Sequence, residues 1–164
     1  MVRTLIVDDS ATIRILLKEI LLARFPSMFV GEAADEEEAI EKVHPHPPDI
    51  IFMDIRLTGK FCGLELTKKI KADYPKSVII IHIIYDLPEY RKAAFKSGAS
   101  YFLSKDSSAI DEILTLVESI VSDQDLDGEG PRSEGTLKST TMKQSASSDR
   151  QESKTSLPPS VYHH

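Results

Sequence analysis

The sequence predicts an α/β fold: a five-stranded parallel sheet, doubly wound, with five helices covering both of its faces. Short β-branched runs alternate five times with stretches of helical periodicity. Strands joined in this way by helical crossovers lie parallel, because each crossover packs a helix onto the sheet. The first run is continuously apolar, as in a strand buried on both faces.

In chain order, Leu5-Ile6-Val7 is the first strand and runs into acid. Ile13, Leu16, Leu17, Ile20 and Leu21 then recur at helical spacing, with Ser10 as N-cap and Pro26 beyond the end. Met28 to Ala33 is a weaker second strand. Asp35 followed by Glu38 opens the second helix in the manner of a capping box, and Pro45 ends it. Asp49 to Met53 is the third strand, running into Asp54. Leu64 to Lys71 is helical and stops before Pro75. Ser77 to Ile84 is the most β-branched run and is expected to be central. Glu89 to Ser97 forms a helix closed by Gly98 at C′. Tyr101 to Leu103 is the last strand, and Ile110, Ile113, Leu114, Val117 and Val121 give the last helix an apolar stripe.

The 164 residues have room for one ordinary domain, and 41% hydrophobic with 7% aromatic residues is normal for a globular chain. A formal net charge of −6 argues against a nucleic-acid surface. No apolar run approaches the roughly 20 residues that span a bilayer. The N-terminal apolar stretch is too short for a signal peptide. The single Cys62 cannot form an internal disulfide, which fits a reducing compartment. A cytoplasmic location is expected. Composition changes sharply after residue 121, so 1–121 is read as the domain and 122–164 as a disordered tail too poor in apolar residues to offset its ordering entropy. The tail carries five basic and seven acidic residues, net −2, with no helix-turn-helix pattern, so no direct nucleic-acid contact is expected. His163 and His164 support no metal site.

The chemistry sits where the strands end. In doubly wound sheets ligands bind at the carboxyl ends of the strands, at a topological switch point. In the flavodoxin-like order 2-1-3-4-5, the order expected for this class of sheet, strands one and three flank that point. Asp8 and Asp9 end strand one, and Asp54 ends strand three. Carboxylates so gathered repel one another unless a cation joins them. Oxygen ligands without His or Cys favour a hard cation, and Mg²⁺ is the usual partner of phosphate. Lys105, ending strand five, brings positive charge to the same edge. Such a set can hold a phosphoryl group, and a carboxylate is a competent nucleophile for making an acyl phosphate. A flavodoxin-like cofactor enzyme is disfavoured, because Asp9-Ser10 stands where a Gly-rich phosphate loop would follow strand one.

Leu5-Ile6-Val7-Asp8-Asp9-Ser10, Asp49 to Asp54, and Gly98-Ala99-Ser100-Tyr101-Phe102-Leu103-Ser104-Lys105 resemble the three signatures of bacterial response-regulator receiver domains. The resemblance covers about residues 1–121. It implies that Asp54 is the phospho-acceptor, supplied by a histidine kinase, with Lys105 pairing with the phosphoryl oxygens or, before phosphorylation, with Asp54. It implies Mg²⁺ held by Asp9 directly, by Asp54, by Asp8 through water, and by the backbone carbonyl of Arg56. The chain is then no enzyme in the turnover sense, although it takes part in its own phosphorylation and dephosphorylation. The output partner, a second copy of the chain included, is expected on the face of helix four, strand five and helix five.

Several positions depart from that pattern. Ile83 stands where the family places a Thr or Ser hydroxyl, and the adjacent His82 points to the opposite face of its strand. Thr58 replaces a Pro, Glu36 replaces a Gly, and Gly63 comes one residue late, so Phe61-Cys62 reads as a loop expansion. Ile83 favours a second reading, a phosphorylation-independent interaction module with the same fold. Phe102 is the expected aromatic switch partner. Of Tyr85, Tyr90, Phe95 and Phe102, at least half are expected in the core. Glu36-Glu37-Glu38 is read as a solvated helix start, and His44 and His46 as solvated loop residues.

Overall fold

Local signals set several of the element ends. Ser10 caps the first helix by accepting from the Ile13 N–H. Asp35 caps the second by accepting from the Glu38 N–H at 2.9 Å, while the Glu38 carboxylate reaches back to the Ala34 N–H at 2.9 Å. Pro88 opens the fourth helix, where its missing N–H costs nothing. Gly98 follows that helix with φ +104°, a left-handed conformation suited to glycine at C′.

The computed structural model describes residues 1–59 and 62–126. The elements are β1 (Arg3–Val7), α1 (Ala11–Arg24), β2 (Phe29–Ala33), α2 (Glu36–Val43), β3 (Ile50–Met53), α3 (Gly63–Asp73), β4 (Val78–Ile83), α4 (Pro88–Lys96), β5 (Tyr101–Ser104), a 3₁₀ turn (Ser107–Ala109) and α5 (Ile110–Leu126). All strand pairs are parallel and the order is β2-β1-β3-β4-β5, as expected. Neighbouring registers place Val7 beside Met53 and Ile83 beside Ser104, so the chain leaves β1, β3, β4 and β5 at one edge of the sheet.

Strand alternation divides the core in two. Leu5, Val7, Ile51, Met53, Ile79, Ile81, Ile83 and Phe102 pack on one face against α2, α3 and α4. Ile6, Phe52, Ile80 and Leu103 pack on the other against Leu17 and Leu21 of α1 and Ile113, Val117 and Ile120 of α5. Each such side chain taken fully out of water contributes about 1.5–3 kcal/mol before entropy is counted.

Packing corrects the sequence reading in several places. Leu16 is 50% exposed, because α1 docks along Leu17 and Leu21 and turns Leu16 outward. The buried stripe of α5 is Ile113, Leu116, Val117 and Ile120, rotated from the one expected, while Ile110, Leu114 and Val121 are only half-buried. That helix continues through Ser122 to Leu126, past the expected domain end at 121. The rest of the predicted tail, from residue 127, lies outside the described residues, as does Phe61 of the predicted loop expansion. Glu36 is buried rather than solvated, lying beneath Gly59 of the β3–α3 loop.

Candidate functional site

Parallel strands deliver their C-terminal residues to one edge, and that edge gathers the predicted acids. Asp8, Asp9 and Asp54 can each present an oxygen such that all lie within 4.8 Å of one another. Asp8 and Asp54 are buried, and Asp9 is exposed. The Asp8 N–H continues the sheet by donating to the Ala33 carbonyl at 3.0 Å, and the Asp54 N–H donates to the Val7 carbonyl at 2.9 Å. The backbones that carry the two carboxylates are therefore held by the sheet ladder itself.

Lys105 enters from the end of β5, its own N–H bonded to the Ile83 carbonyl at 2.7 Å. Its buried ammonium lies 2.5 Å from Asp8 Oδ2 and 3.2 Å from Asp54 Oδ2. The expected partner was Asp54; the structure shows Lys105 shared, with Asp8 nearer. Burial pushes the Asp8 carboxyl above its ordinary value, opposed by the Lys105 ammonium and the Ser10 N–H, while the Asp54 charge pushes it further up. Asp54 Oδ1 accepts from the Arg56 N–H at 3.0 Å, a contact of the N–H and not of the carbonyl named in the sequence reading, while the Arg56 side chain is exposed.

The donor set fits a hard divalent cation. Three carboxylates and one ammonium leave a formal charge of −2 at the cluster, which one divalent ion would balance.

Two residues that meet the site escape the sequence reading. Arg14, on the first turns of α1, donates from Nη1 to the Asp8 carbonyl at 2.7 Å. Its only signal was a cation interrupting the apolar stripe of that helix. Gly63 stands in the sequence only as a displaced glycine. A Cβ there would lie 1.9 Å from the Asp54 carbonyl oxygen, so the first turn of α3 rests directly on the backbone of Asp54.

The response regulator receiver domain family matches residues 4–118. The chain belongs to that family. Among curated proteins this receiver is 35% identical over 114 residues to the oxygen regulatory protein NreC of Staphylococcus haemolyticus, covering 70% of this chain and 52% of that one. It is 36% identical over 112 residues to the response regulator protein VraR of Staphylococcus aureus, covering 67% and 52%. The chain thus spans about half the length of the curated relatives it matches. Among solved structures, the chemotaxis protein CheY4 of Vibrio cholerae is 25% identical with TM-score 0.65, covering 73% of this chain and 98% of that one. The N-terminal domain of protein WS1339 from Wolinella succinogenes is 30% identical with TM-score 0.69, covering 79% and 100%.

The departures of this receiver now have places. Ile83 is 2% exposed and belongs to the core cluster that holds Phe102. The Phe102 ring is buried, with the Arg91 guanidinium 5.1 Å above it and Arg91 held in turn by the Asp86 carboxylate. Phe95 packs against the same core, whereas Tyr85 and Tyr90 are exposed, so the four aromatics divide evenly between core and surface. His82 does face away from Ile83, against the edge of Phe52. Thr58 is exposed. His44 is exposed and shares a hydrogen bond with the Tyr74 hydroxyl at 2.8 Å. Among the described residues, no helix is long and apolar enough to cross a membrane.

Proposed function

We propose that this receiver accepts a phosphoryl group on Asp54 from the phosphohistidine of a histidine kinase, in a Mg²⁺-dependent reaction. A carboxylate oxygen of Asp54 attacks phosphorus as the phosphorus–nitrogen bond breaks and the imidazole leaves. One observation carries the reading: a buried carboxylate at the end of β3, its backbone bonded into the sheet, shares a buried ammonium with a second carboxylate and lies beside a third. Asp9, Asp54, Asp8 through water, and the Arg56 carbonyl would hold the metal, which when bound supplies charge neutralisation for the phosphoryl oxygens. Lys105 is tethered between Asp8 and Asp54, so it is in place to pair with a phosphoryl oxygen without a long movement. The Arg56 N–H orients Asp54 by holding Oδ1.

The chain acts as a cytoplasmic signalling module rather than a turnover enzyme. Its output is a protein partner or a second copy of itself at the face of α4, β5 and α5, with no direct nucleic-acid contact by this domain. The second reading, constitutive partner binding, is favoured by the apolar Ile83 at the switch position. Incubation with a small phosphodonor and Mg²⁺ tests the main reading. Wild type should be labelled and Asp54→Asn should not, since an amide is a poor nucleophile towards phosphorus. Equal labelling of the two proteins refutes the assignment.

A further inference from the structure

The proposed chemistry needs Asp9, an exposed carboxylate on the bend between β1 and α1, to be aimed correctly, yet among the described residues no hydrogen bond or ion pair holds its side chain. The peptide unit that carries it is held from the other side. The Asp8 carbonyl and the Asp9 N–H belong to one planar peptide, so orienting the carbonyl orients the bond leading to the Asp9 Cα. That carbonyl lies just past the end of β1 (Arg3–Val7), and Arg14 Nη1 donates to it at 2.7 Å.

Arg14 is itself anchored. Its Nε lies 3.4 Å from Glu32 Oε1, and Lys18 Nζ holds the other Glu32 oxygen at 3.2 Å. Glu32 stands on β2 in register with Ile6, two residues before Asp8, and Lys42 donates to its carbonyl. The Arg14 side chain is 16% exposed, so this network is partly withdrawn from water. The chain of contacts runs from the β2 backbone through Glu32 and Arg14 to the peptide before Asp9.

We propose that Arg14 is a positioning residue for the phospho-acceptor site, its guanidinium fixing the Asp8–Asp9 peptide against Glu32 and thereby aiming Asp9 at the metal. The inference rests on the Mg²⁺-dependent reading above. A guanidinium can bond the carbonyl and Glu32 at once from its rigid fork; a lysine ammonium is a point charge at the end of a flexible stem. Arg14→Lys therefore keeps the charge and loses the geometry, whereas Arg14→Met loses both.

The test is a Mg²⁺ titration of the full chain followed by amide chemical shifts, with thermal melting recorded without metal. Partners of metal ligands typically contribute about 10–100-fold to metal affinity, so both variants should bind Mg²⁺ at least about tenfold more weakly. Labelling by a small phosphodonor should need correspondingly more Mg²⁺ but reach the wild-type rate at saturation. Glu32→Gln, which leaves Arg14 in place without its anchor, should show a smaller loss in the same direction. The proposal is overturned if Arg14→Lys binds Mg²⁺ as wild type does. It is equally overturned if the variants melt earlier with unchanged Mg²⁺ affinity, because Arg14 is then only structural. If wild type itself shows no Mg²⁺ response, the reading of the site fails, an outcome distinct from failure of the Arg14 role.

Discussion

Replacing Gly63 by alanine puts the link between α3 and Asp54, the proposed acceptor, to a direct test. The added Cβ would lie 1.9 Å from the Asp54 carbonyl oxygen, 2.8 Å from the Asp54 carbonyl carbon and 2.8 Å from the Ile55 Cα. An ordinary carbon–oxygen contact is about 3.3 Å, so the helix and the end of β3 must separate by about 1.4 Å. All three atoms are backbone, so no side chain can rotate aside. The Gly63 N–H bond to the Ile55 carbonyl, 2.9 Å long, lies in the same contact and would be strained or broken. Overpacking and the lost bond together cost about 2–4 kcal/mol. Helix propensity alone has the opposite sign, since alanine is favoured over glycine by up to about 1 kcal/mol. Thermal melting should therefore show Gly63→Ala melting about 10 °C below wild type. Phosphodonor labelling should also slow, because the displaced backbone is that of Asp54. A variant as stable as wild type, labelled at the same rate, would refute the argument that α3 bears on the acceptor.

Two further outcomes are expected. Burial, with the Lys105 ammonium adding to it, lowers His82 from 6.5 to about 4. The unfolded chain thus takes up a proton near pH 6.5 that the folded domain refuses until about pH 4, and stability falls across that window as pH falls, by about 3 kcal/mol from this group. The raised Asp8 carboxyl works in the opposite sense, so the readout is the difference between the pH–stability curves of wild type and His82→Leu; parallel curves would show that His82 does not contribute. Ile83→Thr should enlarge the amide shifts around Phe102 when Mg²⁺ and a phosphoryl mimic are added, since a hydroxyl bond to a charged oxygen contributes roughly 1.5–3 kcal/mol in one state only. The same change should lower stability by about 1–3 kcal/mol, because a hydroxyl enters an apolar cluster; a full response in wild type with no gain in the variant would show the hydroxyl to be dispensable.

Much of this protein is determined locally, by residues near one another in the chain. The alternation of apolar runs with capped amphipathic stretches was enough for the five strands, five helices and parallel sheet, because secondary structure follows periodicity and end signals. The meeting of Asp8, Asp9, Asp54 and Lys105 was legible for a topological reason: parallel strands bring their carboxyl ends to one edge whatever packs around them. Other features are set by side chains from distant segments and emerge only when the chain folds. The sharing of Lys105 between Asp8 and Asp54, with Asp8 nearer, depends on the reach from β5 across β4 and β3. The burial of Glu36, the outward turn of Leu16 and the rotated stripe of α5 depend on how each helix docks, which periodicity alone leaves open by part of a turn. Gly63 and Arg14 meet the site at single backbone atoms of Asp54 and Asp8. Such contacts leave no periodic trace in a sequence, because they depend on one distance between two elements and not on a repeated pattern along either.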